Sequence, residues 1–117
     1  MPCIAVHYYM SNKDSTEVYC SQELDQLLDS LDPNHKFHRW IEKWKNKLLL
    51  SKTRGIKIKR EQIPDYYIRK YGLDNLYLIK HPEGYCSCYT LHQFESEVCP
   101  VILDIMTHPE YEKRFGY

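Results

Sequence analysis

The sequence lacks the features that mark membrane and secreted proteins. Its longest apolar runs fall well short of the roughly 18 residues that span a bilayer, and Met1–Met10 carries no basic segment of a secretory signal. Internal repeats, low-complexity tracts and linkers are also absent. These absences predict one domain over residues 1–117 in the cytoplasm, with no membrane contact.

The cysteines show no CxxC pairing, and their number is odd. They therefore predict neither a disulfide framework nor a zinc ribbon. Cys86 and Cys88 share one face of a strand, and Cys99 can lie on its neighbour, so a thiolate metal site is one alternative. Buried inert thiols are the commoner use of such residues. The histidines show no ligand spacing, so we expect no metal and no cofactor.

Charge is balanced in total but not along the chain. The formal net charge is zero, with 16 basic and 16 acidic side chains. Between Lys36 and Lys80 lie 13 of the basic residues and four of the acidic ones, a net charge of +9. Five basic residues fall within Lys52–Arg60 alone. The flanks are correspondingly acidic, which predicts an anionic partner for the middle of the chain.

The first half predicts a strand followed by a helical hairpin. Pro2–Met10 is rich in Val, Ile and Tyr, which is typical of a strand. A helix over Ser21–Leu31 has Ser21 as its cap, and a second helix covers about His35–Leu50. Asp32-Pro33-Asn34 breaks the first and is expected to cap the second. Phe37, Ile41, Trp44 and Leu48 form the apolar stripe of the second helix, which needs a sheet to cover.

The second half predicts mainly strands. Ile56–Lys59 alternates as a strand, and Asp65–Tyr71 predicts a short helix that Gly72 ends. Leu76–Lys80 and Tyr85–Thr90 flank a turn that contains Pro and Gly. Val98–Met106 is nearly continuous in apolar residues, which predicts a buried central strand whose regular pairing begins after Pro100. The fold class is α+β: a small mixed or antiparallel sheet carrying the helical hairpin, in the order β-α-α-β-β-β with a C-terminal turn.

The chain resembles the RelE/ParE superfamily of toxins from type II toxin–antitoxin systems. NLYLIKHPEGYCSCYT is similar to the strand–turn–strand of that family, in which Gly-Tyr after the turn opens the second strand. VCPVILDIMTHPEYEKRFGY resembles the buried last strand and the H-x-x-Y ending of HigB-like and some RelE-like members. The upstream helical hairpin also fits, so the resemblance covers about Ser21 to Tyr117.

The resemblance implies a metal-independent endoribonuclease that cuts mRNA, in some members on the ribosome, and that a cognate antitoxin protein inhibits. In such enzymes the ribose 2′-hydroxyl attacks the neighbouring phosphate, so a site needs proton transfer and positive charge. His108 is the candidate acid or base, with Tyr111 three residues later. The candidate phosphate ligands are Lys57, Lys59, Arg60, Lys80 and Arg114.

One position departs from the pattern that the resemblance implies. Many active relatives read Gly-Tyr-Arg at the start of the second strand, and Cys86 occupies the place of that phosphate-binding arginine. Tyr77 and Ile79 stand where ribosome-dependent relatives have lysines, and Lys80 is predicted to face the opposite side of the sheet. The alternative is therefore a catalytically silent relative that binds an antitoxin, the ribosome or gyrase. The alternative for the two candidate site residues is structural: His108 caps the last turn, and Tyr111 packs the tail onto the sheet.

Overall fold

The computed structural model describes Ser15 and residues 17 to 116. The strand predicted at Pro2–Met10 lies outside these residues. The strands are β1 Tyr19–Cys20, β2 Ile56–Lys57, β3 Tyr77–Lys80, β4 Cys86–Phe94 and β5 Glu97–Ile102. The helices are α1 Gln22–Ser30, α2 Lys36–Leu50, α3 Asp65–Tyr71 and α4 His108–Phe115. No helix among the described residues is long and apolar enough to cross a membrane.

The described strands form one mixed sheet in the order β1-β5-β4-β3-β2. Only β1 and β5 are parallel, and the remaining pairs are antiparallel. The predicted hairpin is present, with β3 joined to β4 through a turn at Pro82–Gly84. The strand predicted at Val98–Met106, β5, is paired on both sides, between β1 and β4, so its predicted position inside the sheet is confirmed, although β4 is the middle strand of the five.

The boundaries predicted for the last strand are wrong, because pairing begins at Glu97, before Pro100. Pro100 lies opposite Leu91, whose N–H and C=O both bond the side chain of Asn75 on the far side of β4. Leu91 and Pro100 are therefore a pair without hydrogen bonds between β4 and β5. Because Leu91 needs no donor from β5, the missing N–H of Pro100 leaves no backbone group of Leu91 unsatisfied. The strand ends at Ile102 because Asp104 interrupts the ladder with its side chain, which accepts from the Cys88 N–H at 2.9 Å.

The helical hairpin covers one face of the sheet, as predicted. Ser21 caps α1 by accepting from the Leu24 N–H at 3.1 Å. The cap of α2 is His35, whose Nδ1 accepts from the Phe37 N–H, so the cap predicted within Asp32-Pro33-Asn34 is wrong. The buried residues of this layer are Val18 just before β1, Leu24, Leu28, Ile41 and Leu48 from the helices, and Tyr77, Ile79, Tyr89 and Ile102 from the sheet.

A second layer, which the sequence did not reveal as such, packs on the other face. It contains Ile63 and Tyr67 around α3, together with Leu76, Leu78, Cys86, Cys88, Leu103 and Met106. The C-terminal turn is a complete helix, α4, and begins at a capping box formed by Thr107 and Glu110. Because side chains alternate along β3, Lys80 shares this face with Leu78, opposite Tyr77 and Ile79, as predicted.

Candidate functional site

A cleft of about 280 Å³ opens where the β3–β4 hairpin meets the start of α4. It is lined by Leu78, Lys80, His81, Gly84, Tyr85, Cys86, His108 and Tyr111. Four of these residues were singled out in the sequence, and they come from three elements: Lys80 from β3, Cys86 from β4, and His108 and Tyr111 from α4. Gly84 has a positive φ of 79°, and a Cβ added to it would lie 4.0 Å from the Cβ of His108. The positive φ of this turn favours glycine, whereas the space beside His108 would admit a Cβ.

Helix α4 presents His108 and Tyr111 from its first turn. Thr107 accepts from the Glu110 N–H, and the Glu110 carboxylate accepts in return from the Thr107 N–H at 2.8 Å. These bonds fix the start of the helix, where residues three apart lie on one side. The two rings are nearly parallel, at 24° and 6.1 Å between centroids. The His108 side chain is 64% exposed, and its Nε2 lies 3.6 Å from the Glu112 carboxylate.

The hairpin supplies an ammonium group and a thiol. Lys80 ends β3 and is exposed, whereas Cys86 opens β4 directly opposite and is buried. Burial, together with the negative charge of Asp104, raises the pKa of the Cys86 thiol to about 11. At neutral pH this side chain is therefore an uncharged thiol, and it supplies neither a nucleophile nor the positive charge of an arginine.

His81 is a residue of the cleft that the sequence analysis did not identify. It is buried, its Nε2 lies 2.8 Å from Ser87 Oγ, and its ring stacks on Trp40 at 5.7 Å and 12°. Burial lowers its pKa to about 4, so the imidazole is neutral at pH 7. Trp40 is 41 residues away in the chain, so no local pattern pointed to this environment.

Arg114 belongs to a neighbouring polar network instead of the cleft. Its Nη1 donates to Asp104 Oδ2 at 2.9 Å and to the Tyr67 hydroxyl at 3.2 Å, while its guanidinium lies over the Tyr66 ring. The Tyr67 hydroxyl itself donates to Asp104 at 2.6 Å. Burial raises the pKa of both Asp104 and Tyr67. Asp104 is thus hydrogen-bonded at the end of the sheet, as a carboxylate removed from solvent requires.

The other predicted phosphate ligands lie at the far edge of the sheet. Lys57 is in β2 and lines a different groove, together with Tyr71 and Asn75. Lys59 and Arg60 follow it and are exposed. The basic segment is thus an edge feature, and the only one of the predicted cations in the described cleft is Lys80.

The arrangement can transfer protons and bind an anion. It offers an imidazole, a phenol and an ammonium group around one space, and aromatic rings that can hold a planar ligand. Among the described residues, no group of three or more His, Cys, Asp or Glu side chains is placed to hold a metal ion.

Comparisons with protein-family models, with curated proteins and with solved structures gave no match to this chain. The resemblance to RelE/ParE toxins therefore rests on the sequence motifs given above, and membership of that superfamily stays a prediction.

Proposed function

We propose that the cleft is the active site of a toxin-type endoribonuclease that cuts mRNA without a metal and that an antitoxin protein inhibits. The observation that carries this proposal is the convergence of Lys80, His108 and Tyr111 on one cleft. Lys80 is distant in sequence from His108 and Tyr111, yet together the three residues provide what cleavage by a 2′-hydroxyl needs. The resemblance to RelE/ParE toxins names the same reaction.

Each side chain has a defined role in this reaction. The 2′-oxygen bonds to phosphorus and the bond to the 5′-oxygen breaks, which leaves a 2′,3′-cyclic phosphate and a 5′-hydroxyl. His108 takes the proton of the attacking 2′-hydroxyl, and the hydroxyl of Tyr111 beside it donates a proton to the leaving 5′-oxygen. The Lys80 ammonium stabilises the charge that develops on the phosphate oxygens. Arg114 is committed to Asp104, so Lys80 replaces it as the phosphate ligand in this cleft.

A second candidate function is a catalytically silent module that binds protein. Cys86 supports it, because this neutral thiol stands where the resemblance implies an arginine. Its side chain lines the cleft, so an arginine at this position can extend into the same space. Replacing Cys86 therefore distinguishes an active enzyme from a silenced one.

The test is cleavage of a long mRNA, with and without ribosomes, in a buffer that contains a chelator. We expect His108→Ala to lower the rate roughly 10²–10⁴-fold, the usual contribution of a general acid or base. Lys80→Ala should also slow the reaction. His92→Ala is the matched control, because His92 is exposed and lines the other groove.

Three outcomes separate the candidates. Equal rates for wild type and His108→Ala would remove His108 from the mechanism. RNA left intact by wild type but cut by Cys86→Arg would identify a silenced toxin. Activity that disappears in chelator would contradict the metal-free reaction.

A further inference from the structure

The wall of the cleft continues outward into an aromatic cluster at the start of α2. We call this cluster the aromatic rim; it consists of Phe37, Trp40, His81 and Tyr85. His81 and Tyr85 line the cleft, and Trp40 lies 5.7 Å and 5.6 Å from their ring centroids. Phe37 meets Tyr85 edge-on at 5.1 Å. A ligand that fills the cleft therefore borders on α2.

Helix α2 carries a stripe of positive charge that begins at this rim. The whole helix contains five Lys or Arg residues and one acidic residue, Glu42. Lys36, Trp40, Lys43 and Lys47 follow one another at the spacing i, i+4, i+7 and i+11, which places them along one side of the helix. We call these four residues the basic stripe, and at 1.5 Å per residue it is about 16 Å long.

Cations and rings are interleaved along the stripe. Lys36 Nζ lies 5.5 Å from the ring centroids of both Trp40 and Tyr85 and is also paired with the carboxylate of Glu83, so Lys43 and Lys47 are the cations of the stripe that the test addresses. Lys47 Nζ lies 4.7 Å from the centroid of Trp44, and Lys43 is exposed. The apolar face of α2, with Ile41 and Leu48, is buried elsewhere. Packing of the helix therefore does not account for Lys43, which points into solvent.

We propose that the basic stripe and the aromatic rim form a track for single-stranded RNA, and this proposal rests on the function proposed above. The reacting phosphate occupies the cleft, a neighbouring base stacks on the rim, and the next phosphates lie along the stripe. Single-stranded nucleic acids are bound in this way, by cations that follow the backbone and rings that stack on bases. An acidic polypeptide would use the charges alone, whereas a single-stranded RNA can use the charges and also stack a base on the rim.

Binding is measured separately from cleavage with a 2′-O-methylated oligonucleotide, which lacks the attacking hydroxyl. The test variant is Lys43→Ala with Lys47→Ala, and its matched control is Arg69→Ala with Lys113→Ala, two exposed cations on α3 and α4. For two lost phosphate contacts, we expect the slope of log K against log salt to become shallower by about 1.4. The control should keep the slope and affinity of the wild type.

Base stacking is tested by fluorescence. The chain contains two tryptophans, so Trp44→Phe leaves Trp40 as the only one. The oligonucleotide should change the Trp40 fluorescence, whereas an abasic strand of equal charge should not. Trp40→Leu should weaken binding roughly 5- to 150-fold, the range reported for a lost base stack.

The outcomes separate this inference from the proposed function. Binding that needs Lys43 and Lys47, in a protein that never cuts RNA, supports the track and contradicts the enzyme. If the wild type cuts RNA, and the variant with Lys43→Ala and Lys47→Ala binds the oligonucleotide as tightly as the wild type does, the track is wrong while the proposed enzyme stands. Tighter binding of polyglutamate than of the oligonucleotide would also overturn it, in favour of an acidic protein partner.

Discussion

Two histidines of the cleft have opposite surroundings. His108 stands on the first turn of α4 with most of its side chain in solvent, where it can exchange protons. His81 is enclosed between Trp40 and Ser87, and its neutral form is strongly favoured. The first can therefore serve proton transfer, whereas the second shapes and rigidifies the wall.

The burial of His81 makes stability depend on pH. Its pKa falls from an ordinary value of 6.5 to about 4 on folding, so the unfolded chain binds a proton more readily between these values. Its contribution to stability is complete above pH 6.5 and declines as the pH falls toward 4, by at most about 3 kcal/mol. His81→Gln keeps a hydrogen-bonding group without this titration. Urea unfolding at pH 7.5 and pH 4.5 should therefore show a smaller difference for His81→Gln.

His92→Gln provides the comparison, because His92 is exposed on β4. It should retain the pH dependence of the wild type. If His81→Gln lost as much stability at pH 4.5 as the wild type does, His81 would not be the group responsible.

Single residues could be predicted where their role is local. Ser21 as a cap and Gly72 as a helix end follow from their immediate neighbours, and both are confirmed. The direction of Lys80 followed from strand alternation alone. His81 and Arg114 depend on partners distant in sequence, Trp40 and Tyr67, and no local pattern indicates such contacts.

At the scale of elements, α4 is the piece that completes the cleft. Its start is fixed by the capping box, and its last turn is tied to the sheet through Arg114 and Asp104. Tyr67 of α3 joins the same network, so the two helices of this layer and the end of β5 are coupled. The position of His108 thus depends on an ion pair at the other end of its helix.

Removing the cation of this pair should destabilise the fold. Arg114→Met leaves the partly buried Asp104 carboxylate without its charge partner, which should cost about 1–3 kcal/mol in the free energy of unfolding. The double variant with Asp104→Asn should recover part of the loss, because the uncompensated charge is gone. Urea unfolding measures both effects. RNA cleavage should fall in parallel, since α4 carries His108.

Lys113→Met is the matched control, one position earlier in the helix and exposed. We expect it to unfold within about 0.5 kcal/mol of the wild type. An Arg114→Met variant as stable as this control would show that the ion pair contributes nothing to the hold on α4.

Helices and strands were predictable where periodicity is long. The apolar stripe of α2 predicted that helix, and the turn with Pro and Gly predicted the β3–β4 hairpin. The packing of the helix on the sheet and the pairing of the two strands are confirmed. The end of β5 was not predictable in this way, because a run of apolar residues does not show that Asp104 will replace a backbone bond to Cys88. The full length of α4 was missed because its first turns are polar and its apolar contacts few.

Across the whole molecule, two surfaces hold seven of the 13 basic residues in the positive middle of the chain. One is the basic stripe of α2, next to the cleft. The other is the β2 edge of the sheet, with Arg54, Lys57, Lys59 and Arg60, all of them exposed. A net charge of zero conceals this division. The two surfaces can therefore serve different anionic partners, RNA at the stripe and an acidic protein at the edge.

We expect a cognate acidic polypeptide, the antitoxin that the resemblance implies, to bind the β2 edge and to inhibit the chain. Because the charges of that edge are exposed, the affinity should weaken as salt rises. Lys57→Ala with Lys59→Ala should slow association and reduce the salt dependence, whereas Arg69→Ala with Lys113→Ala should do neither. Co-expression with the neighbouring reading frame, followed by purification at low and high salt, supplies the complex for this measurement. A complex that is equally stable at low and high salt, or whose affinity does not change when Lys57 and Lys59 are replaced, would place the partner on another surface. If no complex can be isolated even at low salt, the predicted antitoxin loses its support.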